Sequence, residues 1–80
     1  MIIYTIFDRA TARYGDPFTA VNDMDCKRRV AYSFRENPYK EDLVLYKLGS
    51  YDIDTGIIAP VVNPVMLCNV MECYEVQNNE

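Results

Sequence analysis

One helical segment stands between two β-rich segments in this chain of 80 residues, and this arrangement limits the fold more than any other feature. Asn22 is a typical helix N-cap, and Asp23 and Asp25 follow in the first turn, where a carboxylate meets the positive end of the helix dipole. Pro38 ends the segment, because the residue before a proline avoids the α conformation. The pattern predicts a helix from Asp23 to about Arg35.

Strand patterns lie on both sides of this helix. Residues 2–7 are rich in β-branched and aromatic side chains, and both faces of that strand are apolar, which predicts a central position in a sheet. Residues 18–21, which follow Pro17, are predicted to form a second short strand. Residues 43–51 alternate as a third strand.

The C-terminal third is less regular. Turn residues at 52–56 predict a hairpin, with Gly56 at positive φ and a strand restarting at residue 57. Pro60 and Pro64 are expected to limit the length of that strand and to place it near an edge. Residues 65–76 fit either a strand or a short helix, and the absence of a clean helical stripe favours the strand.

The fold class that follows is α+β, with a small antiparallel sheet of about four strands and one helix packed on it. We expect a single domain over residues 1–80 with a frayed tail at 77–80. A chain this short buries only about 60% of its unfolded surface. Its 50% apolar composition therefore favours a homo-dimer or a larger oligomer.

The chain has no histidine, which removes the commonest general base and metal ligand. Its three glycines stand too far apart for a phosphate-binding loop, and its three cysteines form no CxxC pair. We therefore expect a non-enzymatic protein with reduced thiols and neither cofactor nor metal. Hydrophobic packing or a dimer contact, rather than a soft metal, is favoured for one group: Met66, Cys68, Met71 and Cys73.

No apolar run approaches the roughly 20 residues that a membrane span requires. The apolar N-terminus lacks a basic region and meets Asp8 at once, so we do not interpret it as a signal peptide. The expected location is the cytoplasm, with no membrane partner.

Charge divides the chain unevenly. All eight basic residues lie within residues 9–47, whereas residues 49–80 contain five acids and no base. The net charge of −4 therefore hides a polarised molecule that could hold an anion at one face. Residues 9–47 also contain six acids, so eight against six leaves only +2. One protomer is expected to hold a nucleic acid weakly.

The predicted helix offers a candidate phosphate-binding face. At 100° per residue Arg28 and Arg35 lie about 20° apart, with Tyr32 on their flank and Arg29 at the border. The arginines would contact phosphates and Tyr32 would stack on a base. The alternative is a solvated face on which Lys27 and Arg29 pair with Asp23 and Asp25, and composition alone favours this alternative.

Two further arginines, Arg9 and Arg13, lie in the connector after the first strand. Two guanidiniums four residues apart could clamp backbone phosphates or simply solvate the connector.

Two stretches and their connection resemble a known family. Residues 4–10, followed by Asp16-Pro17-Phe18, are similar to the opening of a small non-structural protein of gokushoviruses, single-stranded DNA phages of the Microviridae. Residues 45–58 resemble the family's "L-G-x-(Y/F)-D-x-x-T-G-x-I" hairpin. Four residues match its lead-in: Pro38, Glu41, Asp42 and Leu45. The resemblance covers about residues 1–60, and residues 64–74 depart from it.

The resemblance implies a DNA-binding phage protein that acts in the switch from replication to packaging of single-stranded DNA. The matched residues are strand and turn residues, so the resemblance identifies no DNA-binding residue in this chain. Our leading hypothesis is a non-enzymatic accessory protein that binds single-stranded DNA with little sequence preference. The alternative is a protein-interaction module that docks a phage replication or capsid protein through its acidic C-terminal half.

Overall fold

The computed structural model describes the backbone of residues 1–78 and the side chains of residues 1–74. Five strands form one antiparallel sheet, and two helices pack on one face of it. The elements are β1 (Ile2–Asp8), β2 (Arg13–Tyr14), β3 (Phe18–Ala20), α1 (Asp23–Phe34), β4 (Leu43–Tyr51), β5 (Ile58–Asn69) and α2 (Val70–Asn78). The predicted α+β class is confirmed, with one strand and one helix more than expected.

The first strand is central, as its two apolar faces predict. The sheet order is β2–β1–β4–β5, and β3 pairs with β1. Phe7 pairs with Tyr14 of β2, and Tyr4 pairs with Phe18 of β3. On its other side β1 pairs with β4 along its whole length.

Helix α1 begins where the sequence predicts and ends at Phe34, one residue early. The Asn22 side chain accepts a hydrogen bond of 2.8 Å from the backbone N–H of Asp25. This cap satisfies one of the N–H groups that the first helical turn leaves without a partner.

The hairpin of β4 and β5 is also confirmed, with Gly56 at a φ of 76°. The expectation that Pro60 and Pro64 limit β5 was wrong, because β5 runs for 12 residues through both. β5 is an edge strand, as predicted, so a proline can face away from the ladder. Four residues, 61–64, also bulge out opposite Leu48.

The C-terminal segment contains both a strand and a helix, the two structures that its sequence pattern allows. The favoured strand is right up to Asn69 and wrong from Val70, where α2 begins. The Glu72 carboxylate accepts hydrogen bonds of 3.0 and 3.1 Å from the backbone and side-chain amides of Asn69, which is half of a capping box. Of the predicted tail, residues 77–78 continue α2 and residues 79–80 lie outside the described residues.

The core lies between the sheet and the two helices. Tyr4, Cys26, Leu45, Val70 and Cys73 are fully buried there. Cys68 is buried as well, so the packing role predicted for two of the Met and Cys residues is confirmed. Burial raises the pKa of the Cys26 thiol to about 12, which keeps it protonated and unreactive.

Candidate nucleic-acid interface

The outer face of α1 assembles three of the predicted binding residues. Arg28 and Tyr32 lie on α1, and Arg35 is its C-cap residue, still in the α conformation. Their i, i+4 and i+7 spacing places the three side chains in a stripe along one face. All three are exposed. The helix is held by its N-cap and by its buried face, where Cys26, Val30 and Ala31 pack against the core. We call Arg28, Arg29, Tyr32 and Arg35 the helix patch.

An aromatic ring and a guanidinium meet in this patch. The Arg35 guanidinium carbon lies 4.7 Å from the centre of the Tyr32 ring, and 69% of Tyr32 is exposed. A cation over a ring holds both groups in place without removing them from solvent. One face of the ring and the outward N–H groups of Arg35 therefore stay accessible to a base and a phosphate.

Asp25 reduces the charge of the patch. Its carboxylate lies 3.0 Å from Arg28 and 3.7 Å from Arg29. The pKa of Asp25 is lowered, first by a hydrogen bond from the backbone N–H of Val21 and then by one from Arg28, so it is ionised at neutral pH. The alternative with local ion pairs is thus confirmed for Asp25 and Arg29.

The other predicted pair is replaced by a tertiary contact. Asp23 accepts a hydrogen bond of 2.7 Å from the Tyr4 hydroxyl and one of 3.2 Å from Lys47. These contacts lower the pKa of Asp23, the Tyr4 bond most strongly. They join the first turn of α1 to β1 and β4.

Arg29 connects the patch to the sheet. Its guanidinium donates a hydrogen bond of 3.1 Å to the carbonyl of Thr19 in β3. It also lines a groove of about 400 Å³ between α1 and the sheet, whose apolar walls include Phe18 and Phe34. Asp16 is the second charged residue of this groove, and no sequence pattern predicts its place there.

The two connector arginines belong to another part of the molecule. Arg9 donates a hydrogen bond of 2.6 Å to the carbonyl of Glu41, and its backbone N–H bonds to the carbonyl of Asp42. Arg13 lies in β2, opposite Asp8 of β1. The fold therefore places Arg9 and Arg13 at one end of the sheet and the helix patch on a helix.

A second surface was not foreseen from the sequence. The sheet face opposite the helices, which we call the open sheet face, is apolar: Ile3, Phe7, Tyr14, Tyr46, Leu48 and Ile58. The rings of Phe7, Tyr14 and Tyr46 form a cluster with centroids 4.7–6.0 Å apart. The signal was present in the strand pattern, since β1 and β4 carry apolar residues on both faces.

Within the described residues, no group of three or more His, Cys, Asp or Glu side chains is arranged to hold a metal ion. No helix of the described chain is long and apolar enough to cross a membrane.

A scan against known protein families matches residues 1–73 to the family described as phage ORF5 protein. The chain belongs to the phage ORF5 protein family. This ORF5-family protein is thus a phage protein, and the matched region contains all of the helix patch and the open sheet face. Comparisons with curated proteins and with solved structures gave no match.

Proposed function

We propose that this ORF5-family protein is a non-enzymatic phage accessory protein that binds single-stranded DNA with little sequence preference. The gokushovirus resemblance adds the step at which it acts, the switch from replication to genome packaging. The observation that carries the proposal is the exposed Tyr32 ring with Arg35 at 4.7 Å and Arg28 one turn away.

The chemistry of this patch fits a single strand better than a duplex. An unpaired base offers its face to an aromatic ring, a contact worth about 1–3 kcal/mol per base, whereas a duplex hides that face. Arginines beside the ring supply phosphate contacts that carry no sequence information. The helix patch has both parts, an exposed aromatic ring and arginines beside it.

The acidic C-terminal half gives less support to the alternative function, a protein-docking module. The Asp52 carboxylate accepts a hydrogen bond of 2.9 Å from the backbone N–H of Asp54 within the hairpin turn. Glu72 caps α2. Two of the acids in this half thus serve local structure.

The proposal is tested by fluorescence anisotropy with a labelled single strand of about 30 nucleotides at about 50 and 200 mM salt. Three or four phosphate contacts predict a slope of log K against log salt of about −2 to −3. Arg28→Ala/Arg35→Ala should weaken binding and make the slope shallower by about 1.4, the value of two lost contacts. Tyr32→Ala should weaken binding, whereas Tyr32→Phe keeps the ring and should not.

The matched control is Arg9→Ala/Arg13→Ala, which removes the same charge at the end of the sheet. Equal losses in the two double variants would mean that DNA follows net charge or also contacts Arg9 and Arg13, and would overturn the assignment of binding to the helix patch. Absence of binding by the wild type at about 50 mM salt would refute DNA binding altogether.

A further inference from the structure

We propose that the open sheet face is the interface with a second copy of this chain, packed face to face. The inference goes beyond DNA binding and does not depend on it. It rests on the distribution of charge in the sheet, on the exposure of this face and on its area.

The first observation is that the described strands place no charge on the open sheet face. The strands contain three charged residues, Asp8, Arg13 and Lys47. Asp8 and Arg13 are neighbours of Phe7 and Tyr14 along their strands, so they alternate to the opposite side. Lys47 lies on the helix side, where it bonds to Asp23 of α1.

The second observation is that apolar side chains on this face are left in water. Tyr14 is 52% exposed, Met66, the cross-strand neighbour of Tyr46, is 51% exposed, and Ile58 is 58% exposed. An antiparallel sheet with one solvated face normally alternates apolar and polar residues. Thr5 interrupts the apolar row between Ile3 and Phe7, but it is only 1% exposed and its hydroxyl donates a hydrogen bond to the carbonyl of Gly15. The exposed part of the face is therefore mainly apolar, and such a patch marks an interaction surface.

A groove extends this face beyond the aromatic cluster. It has a volume of about 430 Å³, and its walls include Ile3, Leu48, Tyr51 and Ile58. The shortest dimension of the molecule is 17 Å, which is the thickness of one helix layer on one sheet. A second sheet stacked at about 10 Å would complete a sandwich of the ordinary kind.

Charge identifies the occupant. Phosphates need cations, and the strands supply none on this face, so a nucleic acid is the poorer fit. Two copies with a net charge of −4 each have no local repulsion between like charges where both contact surfaces are uncharged, and this face meets that condition with itself. A two-fold axis also requires a self-complementary patch.

The area is sufficient for a dimer. The central strands β1 and β4 have seven and nine residues and are about 24–31 Å long. With β5 on one side and the short β2 and β3 together on the other, the sheet is four strands, or about 19 Å, wide. The face therefore covers about 500 Å² per protomer, and two faces reach the roughly 1,000 Å² of a specific interface. In such a dimer the two helix patches face outward on opposite sides.

The test is the mass in solution, measured by light scattering after size exclusion. The wild type should have twice the 9.3 kDa of one chain at about 100 µM. Tyr14→Glu and Ile58→Glu each place two like charges in the interface and should raise the dissociation constant by about tenfold or more. Both positions are exposed in the monomer, so the fold should survive, as circular dichroism would verify.

The control is Tyr39→Glu, because Tyr39 is 68% exposed and lies outside the strands. It should leave the dimer intact. A monomeric wild type would overturn the inference and leave the face to another protein or to DNA. A dimer that survives both Tyr14→Glu and Ile58→Glu would overturn it as well.

Discussion

Gly49 shows how a single residue fixes the path of a strand. It has a φ of 155°, and a Cβ at this position would meet the carbonyl oxygen of Ala59 and lie 2.8 Å from the Cα of Pro60. These are backbone atoms, which cannot rotate away as a side chain can. Only glycine lets β5 come this close to β4 at Ala59 and Pro60, next to the bulge at residues 61–64.

Gly49→Ala should therefore lower the free energy of unfolding by about 1–3 kcal/mol, the usual cost of forcing an extra carbon into a packed site. Urea unfolding measures it. The matched control is Gly56→Ala, since Gly56 also has a positive φ but nothing within 4 Å of an added Cβ. Equal losses in the two variants would show that the close approach to β5 contributes nothing.

Asp23 shows that helical spacing alone does not predict every ion pair. Helical spacing pairs it with Lys27, but its carboxylate accepts hydrogen bonds from Tyr4 and Lys47 instead. Both partners lie on strands that no local spacing relates to α1. Asp25 and Arg29, by contrast, pair as their i,i+4 spacing predicts.

Among the elements, those with strong local signals were predicted well. The N-cap at Asn22 marks the start of α1, and the alternation of residues 43–51 matches the bounds of β4. The switch from β5 to α2 was missed, because an apolar run fits either element. The Asn69-x-x-Glu72 spacing was the available signal, since a glutamate three residues after an N-cap position is typical of a capping box.

Glu72→Ala should destabilise the protein by about 1 kcal/mol, because it leaves the Asn69 N–H without its carboxylate. Thermal unfolding followed by far-ultraviolet circular dichroism measures the loss. Glu36→Ala is the control, since it removes the same charge from an exposed position just after α1. An equal shift in both variants would show that charge, rather than the cap, is responsible.

For the whole molecule, we expect the position of each charge to affect the affinity for DNA more than the total net charge does. The net charge of −4 opposes DNA binding at long range, whereas Asp25 acts locally, because its carboxylate lies beside two arginines of the helix patch. We therefore expect this one carboxylate to lower the affinity of the proposed site for DNA.

Asp25→Asn should raise the affinity for single-stranded DNA by about twofold or more at low salt, because it removes the negative charge that lies beside two guanidiniums and repels phosphates. Asp54→Asn changes the net charge equally in the hairpin turn and should have a smaller effect. Anisotropy titrations of both variants measure this. The same gain in both would mean that DNA responds to total charge and not to the helix patch.

The sequence by itself determined the α+β class, the central first strand, the limits of α1 and the stripe of Arg28, Tyr32 and Arg35. These depend on periodicity and capping, which act between residues a few positions apart. The tertiary structure alone decided that Arg9 is held by Glu41, that Asp23 meets Lys47 and that one apolar face of the sheet stays uncovered. Such contacts join residues far apart in the chain. These residues come together only because the strands pair and both helices pack on the same side of the sheet.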